Sequence, residues 1–182
     1  MRRAAAVAFC FFLLAAWANA QVPTSGNVFF GYSYYNTDLS GFGRSNMNGW
    51  QGSLEGKVLP AIGIVADLSG TYGSESIPLA CPAPVCGNQD INVHEYNVLF
   101  GPRFSISAGK VRPFVEFEFG VGHVTTNGTG SDTSFATAVG GGLDYKIVRP
   151  LAWRFEGDYV TTRFFGTSQN NARISTGLVL RF

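Results

Sequence analysis

From residue 27 onward the chain alternates apolar and polar residues with a period of two, in runs broken by Gly, Pro, Asn and Ser, and nowhere shows helical spacing. Successive side chains of a strand point to opposite faces, so each run is a strand with two chemically distinct sides. The pattern predicts strands at about 27–36, 47–58, 62–72, 92–104, 112–125, 134–147, 151–162 and 171–182. In the second, Trp50, Leu54 and Val58 alternate with Gln51, Ser53, Glu55 and Lys57. In the fifth, Val115, Phe117, Phe119 and Val121 alternate with Glu116, Glu118, Gly120 and Gly122. The connections after the odd-numbered strands are long and rich in Gly, Ser, Asn and Thr. Those after the second, fourth and sixth are tight, around Pro60, Gly109 and Pro150.

The alternation alone suits a soluble barrel as well as one in lipid, and three further features separate them. Strands of this length exceed the usual soluble value of about 5 to 6 residues and reach the roughly 9 to 11 that a tilted strand needs to cross a bilayer. Aromatic residues on the apolar face gather at both ends. Tyr34, Trp50, Tyr72, Tyr96, Phe135 and Tyr159 lie toward the long loops, and Phe104, Tyr145, Trp153 and Phe182 toward the short turns, as two interfacial girdles. The other face carries Glu55, Asp67, Glu95, Glu116, Glu118, Asp144, Glu156 and Asp158 with Lys57, Arg103, Lys146, Arg154, Arg173 and Arg181. The expected fold is an all-β, eight-stranded, antiparallel, up-and-down transmembrane β-barrel, its charges in the lumen and its long loops on one rim.

The N-terminus fits export. Arg2 and Arg3 precede the apolar run from Ala4 to Trp17, and Ala18-Asn19-Ala20 is a small-x-small cleavage site. The reading is a signal peptide over residues 1–20, cleaved after Ala20, and a single barrel domain over 21–182. Cys10 lies in the leader without a lipobox, so no lipid anchor is expected. Removal of the leader takes Lys plus Arg from 13 to 11 against 12 acids, which leaves no positive field to attract nucleic acid.

Three segments carry a family resemblance: Val139-Gly140-Gly141-Gly142-Leu143-Asp144, Trp153-Arg154-Phe155-Glu156-Gly157-Asp158-Tyr159 and the final Leu178-Val179-Leu180-Arg181-Phe182. With them the span from Asn27 to Phe182 resembles the outer-membrane β-barrel family that includes the transmembrane domain of outer membrane protein A and its opacity-type and porin-like relatives. The resemblance implies the bacterial outer membrane, with its lipids and lipopolysaccharide as surroundings. It further implies that Leu178, Leu180 and Phe182 present an insertion signal to the outer-membrane assembly machinery. No peptidoglycan-binding segment follows Phe182, so the wall-anchoring role of longer relatives is not expected.

Among candidate sites the lumen charges come first. An eight-stranded barrel is only about wide enough for its own side chains, so opposed charges there are expected to pair and plug it. Glu116 and Glu118 have a glycosidase-like spacing, but a sugar has no path into a filled barrel. Cys81 and Cys86, exported to an oxidising compartment in the second long loop, are expected to form a disulfide. A metal there would want two more ligands, and only His94 lies near in sequence. His94 and His123 fall on the lipid side and would face each other if their hairpin turned at residues 108 and 109. His123 beside Thr125 resembles the His-x-Ser of barrel enzymes that deacylate lipid A. That chemistry also needs a Ser nucleophile and an orienting carboxylate on the outer face, and the strands supply no carboxylate there. Gly120 to Gly122 and Gly140 to Gly142 precede no helix and read as barrel geometry, not nucleotide loops.

The resulting expectation is a non-enzymatic, monomeric, structural outer-membrane barrel, without cofactor or metal, whose loops meet an extracellular ligand of unspecified kind. A small porin or channel component is the second reading, and a lipid-modifying enzyme the third.

Overall fold

The computed structural model describes residues 25–39, 43–78, 88–127 and 130–182. Eight strands, β1 (Gly26–Leu39), β2 (Gly43–Leu59), β3 (Ile62–Pro78), β4 (Asn88–Ser105), β5 (Val111–Thr126), β6 (Gly130–Lys146), β7 (Leu151–Thr162) and β8 (Gln169–Arg181), follow one another in a closed barrel. Each pairs antiparallel with its neighbours in sequence, and β8 returns to β1, where Gly26 and Phe182 exchange backbone hydrogen bonds of 2.9 and 3.1 Å. Closure leaves no unpaired strand edge, which is the condition for a sheet to enter hydrocarbon. The leader, its cleavage site and the pair Cys81 and Cys86 lie outside the described residues.

The eight strands begin and end close to the predicted positions at the short-turn rim but run further at the other. β1 and β2 remain in register to Leu39 opposite Gly43, and β5 and β6 to Thr126 opposite Gly130. The first and fifth connections are therefore 40–42 and 127–129, not the long loops the sequence predicted. The reason is that the apolar stripe ends at the membrane border while backbone pairing does not. Above it the ladder is held by polar side chains: Arg44 Nη1 donates to Asn36 Oδ1 (2.6 Å), and Asn36 Nδ2 and Tyr34 Oη both donate to Asn46 Oδ1 (2.7 Å each). After β7 a single 3₁₀ turn, Phe164–Gly166, turns the chain, and Phe164 is buried.

The β4–β5 connection also differs from the prediction. Ala108 and Val111 exchange backbone bonds of 2.8 and 3.1 Å around Gly109 and Lys110. The first central position of this two-residue turn needs a positive φ, and Gly109 supplies it at 65°. Centring the hairpin there sets His94 opposite Thr125 and Tyr96 opposite His123, so the two histidines lie on a diagonal and do not face each other.

The distribution of side chains decides which solvent lies outside. Arg103 and Arg154 are fully buried, whereas Phe30 and Phe135 are 65% and 64% exposed. A water-soluble barrel would reverse this, since guanidinium groups are removed from water only when paired and large apolar surfaces are covered. The outer face is a continuous apolar band that includes Val28, Leu54, Leu68, Phe100, Phe117 and Leu178. Its girdle contacts are in place: Tyr96 Oη donates to Tyr72 Oη (3.2 Å) at the upper border, and Trp153 Nε1 donates to Thr176 Oγ1 (2.9 Å) at the lower.

Candidate functional site: the filled lumen

Inward positions from all eight strands converge in the lumen. At the short-turn end, Glu55 of β2 receives Arg112 Nη2 at 2.6 Å, Arg103 Nη1 at 3.5 Å and Lys57 Nζ at 3.8 Å. Asn27 Nδ2 donates to Glu55 Oε2 at 2.6 Å, the oxygen that Arg103 also contacts. Across β6 and β7, neighbours in register, Arg154 grips Asp144 with two donors, Nε at 2.7 Å and Nη2 at 3.2 Å. Arg181 reaches the same carboxylate at 3.3 Å. Such planar, two-pronged pairing is what Arg offers and Lys does not. Arg154 also lies over the rings of Phe114 (4.6 Å) and Phe29 (5.0 Å), so its faces meet aromatic quadrupoles while its edge meets carboxylates.

The middle layer is ionic as well. Arg103 contacts Glu116 at 2.5 Å and Glu156 at 3.4 Å, and its guanidinium stacks over Phe114 at 4.4 Å. Arg173 spans the lumen between Asp158 (2.8 Å) and Asp67 (2.9 Å). Gln51 Nε2 donates to both Asp67 and Glu156 at 2.6 Å. Glu118, although buried, has no side-chain hydrogen-bond partner among the described residues.

Toward the exposed loops the filling changes character. Tyr35, Met47, Val93, Leu99, Val124, Ala136, Ala138, Val160 and Phe164 form one buried apolar cluster. Glu95 sits against it, bonded among the described residues by the neutral donors Tyr35 Oη and Asn97 Nδ2, each at 3.0 Å.

The structure thus brings together Glu55, Lys57, Asp67, Arg103, Glu116, Asp144, Arg154, Glu156, Asp158, Arg173 and Arg181 in ion pairs. It sets Glu95 and Glu118 apart from those pairs. Lys146, half-buried at the lower rim, joins no ion pair among the described residues, because its strand ends there beside the small Ala152. Sequence reasoning missed Arg112, which shares the inward parity of Phe114, Glu116 and Glu118 and could have been found by extending it one step. It also missed Tyr35 and the upper cluster, whose apolar residues occupy positions expected to be polar. Leu178, Leu180 and Phe182 all point outward. On the outer face His123 Nδ1 contacts Thr133 Oγ1 (2.7 Å) and Nε2 contacts Thr125 Oγ1 (3.3 Å), while His94 packs edge-on against Tyr72 with centroids 5.3 Å apart.

The sequence model of the outer membrane protein beta-barrel domain family matches residues 4–182. The chain belongs to that family. Its place is the bacterial outer membrane, in agreement with the inverted polarity of the barrel. Among solved structures it is similar in fold to Neisserial surface protein A, with 13% identity and a TM-score of 0.66 over 86% of this chain and 97% of that one. It is also similar to Ail, the attachment invasion locus protein of Yersinia pestis, in its complex with the heparin analogue sucrose octasulfate. There the identity is 16% and the TM-score 0.59, over 87% of this chain and 98% of Ail. No curated protein is a significant match to the sequence.

Proposed function

We propose that the protein is a closed, non-enzymatic structural barrel whose lumen is sealed by its own side chains and whose protruding hairpins meet molecules at the cell surface. The observation that carries this reading is the filling of the lumen: fully buried Arg103 and Arg154, with Arg173 beside them, cross-link carboxylates from β2, β3, β5, β6 and β7. An apolar cluster packs above them, and the polar groups beside it, Thr37, Asn171, Tyr35, Glu95 and Asn97, bond to one another. The paired strand extensions beyond the girdle give the surface hairpins a stiff base, and Ail, of similar fold, is known in complex with a sulfated saccharide. Against catalysis on the outer face, His123 is engaged by two threonine hydroxyls, and no carboxylate among the described residues contacts it. The same reading has the protein act as a monomer, with Leu178, Leu180 and Phe182 read by the assembly machinery and Cys81 bonded to Cys86 in the second loop.

Planar-bilayer recordings on protein shown to be folded by its unboiled gel shift test the seal. The expected result is silence, and reproducible steps of uniform conductance would replace this reading with a channel. Mass spectrometry of lipid A from cells with and without the protein is expected to give identical species. A lost or added acyl chain would instead make it an enzyme.

A further inference from the structure

We propose that the middle of the lumen holds one hard divalent cation of the calcium class, in a carboxylate nest formed by Glu116, Glu118, Glu156 and Asp158. One carboxylate oxygen each from Glu116, Glu156 and Asp158 lie within 4.8 Å of one another. Oxygens that ligate one calcium ion at about 2.3 to 2.6 Å stand up to about twice that distance apart across it, so the spread fits a shared ion. All donors are oxygens, which excludes a soft metal.

A second observation points to a ligand here. Glu118, only 1% exposed and the next inward residue of β5 after Glu116, has both carboxylate oxygens without a hydrogen-bond partner among the described residues. Glu116 Oε1 and Asp158 Oδ1 are orphaned as well. Arg103 contacts Glu116 Oε2 and Glu156 Oε2, and Arg173 contacts Asp158 Oδ2 and Asp67 Oδ1, so neither reaches the orphaned oxygens, while Arg103 Nη1 and Arg173 Nη2 themselves lack hydrogen-bond partners among the described residues. In this layer the five carboxylates of Asp67, Glu116, Glu118, Glu156 and Asp158 face Arg103, Arg154 and Arg173, and Arg154 is shared with Asp144. Even with Arg154 counted in full the layer is two positive charges short. A buried excess of that size must be neutralised, and one divalent ion does so.

The backbone makes room for the nest. Glu116 of β5 and Asp158 of β7 flank Gly140 of β6 in register, so their side chains meet over a residue that has none. A Cβ at Gly140 would collide with Asp158 Oδ1. Glycine there keeps the two carboxylates side by side, despite their repulsion, where a larger residue would hold them apart. The sealed lumen also implies that the ion is taken up as the barrel closes.

The test is refolding of the 21–182 chain into detergent with calcium or with EDTA, followed by desalting, metal analysis and melting of the unboiled gel band. We expect about one calcium retained per barrel, a higher melting temperature than after refolding in EDTA, and loss of both effects in Glu118→Gln and Asp158→Asn, with the control Lys110→Ala at the exposed β4–β5 turn unchanged. Absence of retained metal together with identical melting would overturn the proposal and leave protons as the neutralising charge. Metal retained equally by the two lumen variants would also overturn it, by placing the ion elsewhere. If those variants do not fold, wild type refolded with europium decides. A luminescence lifetime nearly equal in H₂O and D₂O marks a water-poor lumen site, and a large ratio marks a hydrated surface ion and rejects the nest.

Discussion

The lower and upper parts of the lumen fill a similar width with opposite chemistry. Below, Arg154 joins Asp144 and Glu156 between two aromatic rings. Above, Leu99, Met47, Val160 and Phe164 pack beside a hydrogen-bonded chain of Thr37, Asn171, Tyr35, Glu95 and Asn97, without an ion pair among the described residues. The lower part is held by complementary charges in a medium of low dielectric, where each member depends on the others. The upper part is held by dispersion and close packing, where each member contributes in proportion to the volume it fills. Removal of one residue should therefore leave an uncompensated charge in one region and only a cavity in the other.

The largest effect is expected for Arg154→Ala. It strips Asp144 of its two-pronged partner and Glu156 of one cation, and should destabilise the barrel by about 3 to 5 kcal/mol. The heat at which the unboiled gel band unfolds measures this. A loss smaller than that of an upper-lumen truncation would break the comparison. Next comes Leu99→Ala, which leaves a cavity in the buried apolar cluster and should cost about 2 to 3 kcal/mol. Replacement by Met should restore most of that, because packing and not charge is at stake. The restoration would have no counterpart at Arg154, where Lys cannot reproduce the paired donors.

Smaller effects sharpen the boundary of the ionic region. Lys146→Ala should shift stability by no more than about 0.5 kcal/mol, since the residue is half-buried and joins no ion pair among those described. A loss of the size seen at Arg154 would place Lys146 inside the network after all. Smallest of all is the effect of the loop cysteines. Non-reducing mass mapping is expected to find Cys81 bonded to Cys86, and Ser at both positions should leave the barrel's melting unchanged. A ring this short constrains little chain entropy. Two free thiols in freshly prepared protein would contradict the bond.

Much of this molecule follows from residue alternation. Period two is a local property of extended backbone, so Glu55, Glu116, Arg154 and Arg173 could be assigned to one face and Leu54, Phe117, Trp153 and Ile174 to the other without any knowledge of the neighbours. Strand count, the order of connections and the membrane setting follow from the same signal, because an apolar face of this length with aromatic ends has few solutions. Alternation stops being informative where the apolar stripe stops. That is why the upward extensions of β1 and β2, held by Asn36, Arg44 and Asn46, were not legible. It also says which face a side chain takes and not what it meets there. Whether Arg103 finds Glu116, whether Arg112 closes on Glu55, and whether Glu116 and Asp158 come together over Gly140 depend on the stagger of eight strands around a closed cylinder. The two-residue turn at Gly109 and Lys110 shifted the β4–β5 register and moved His94 away from His123. The sequence determined the faces because facing is set residue by residue. The tertiary structure decided the partners because pairing across a lumen is set by register and closure, which no single strand contains.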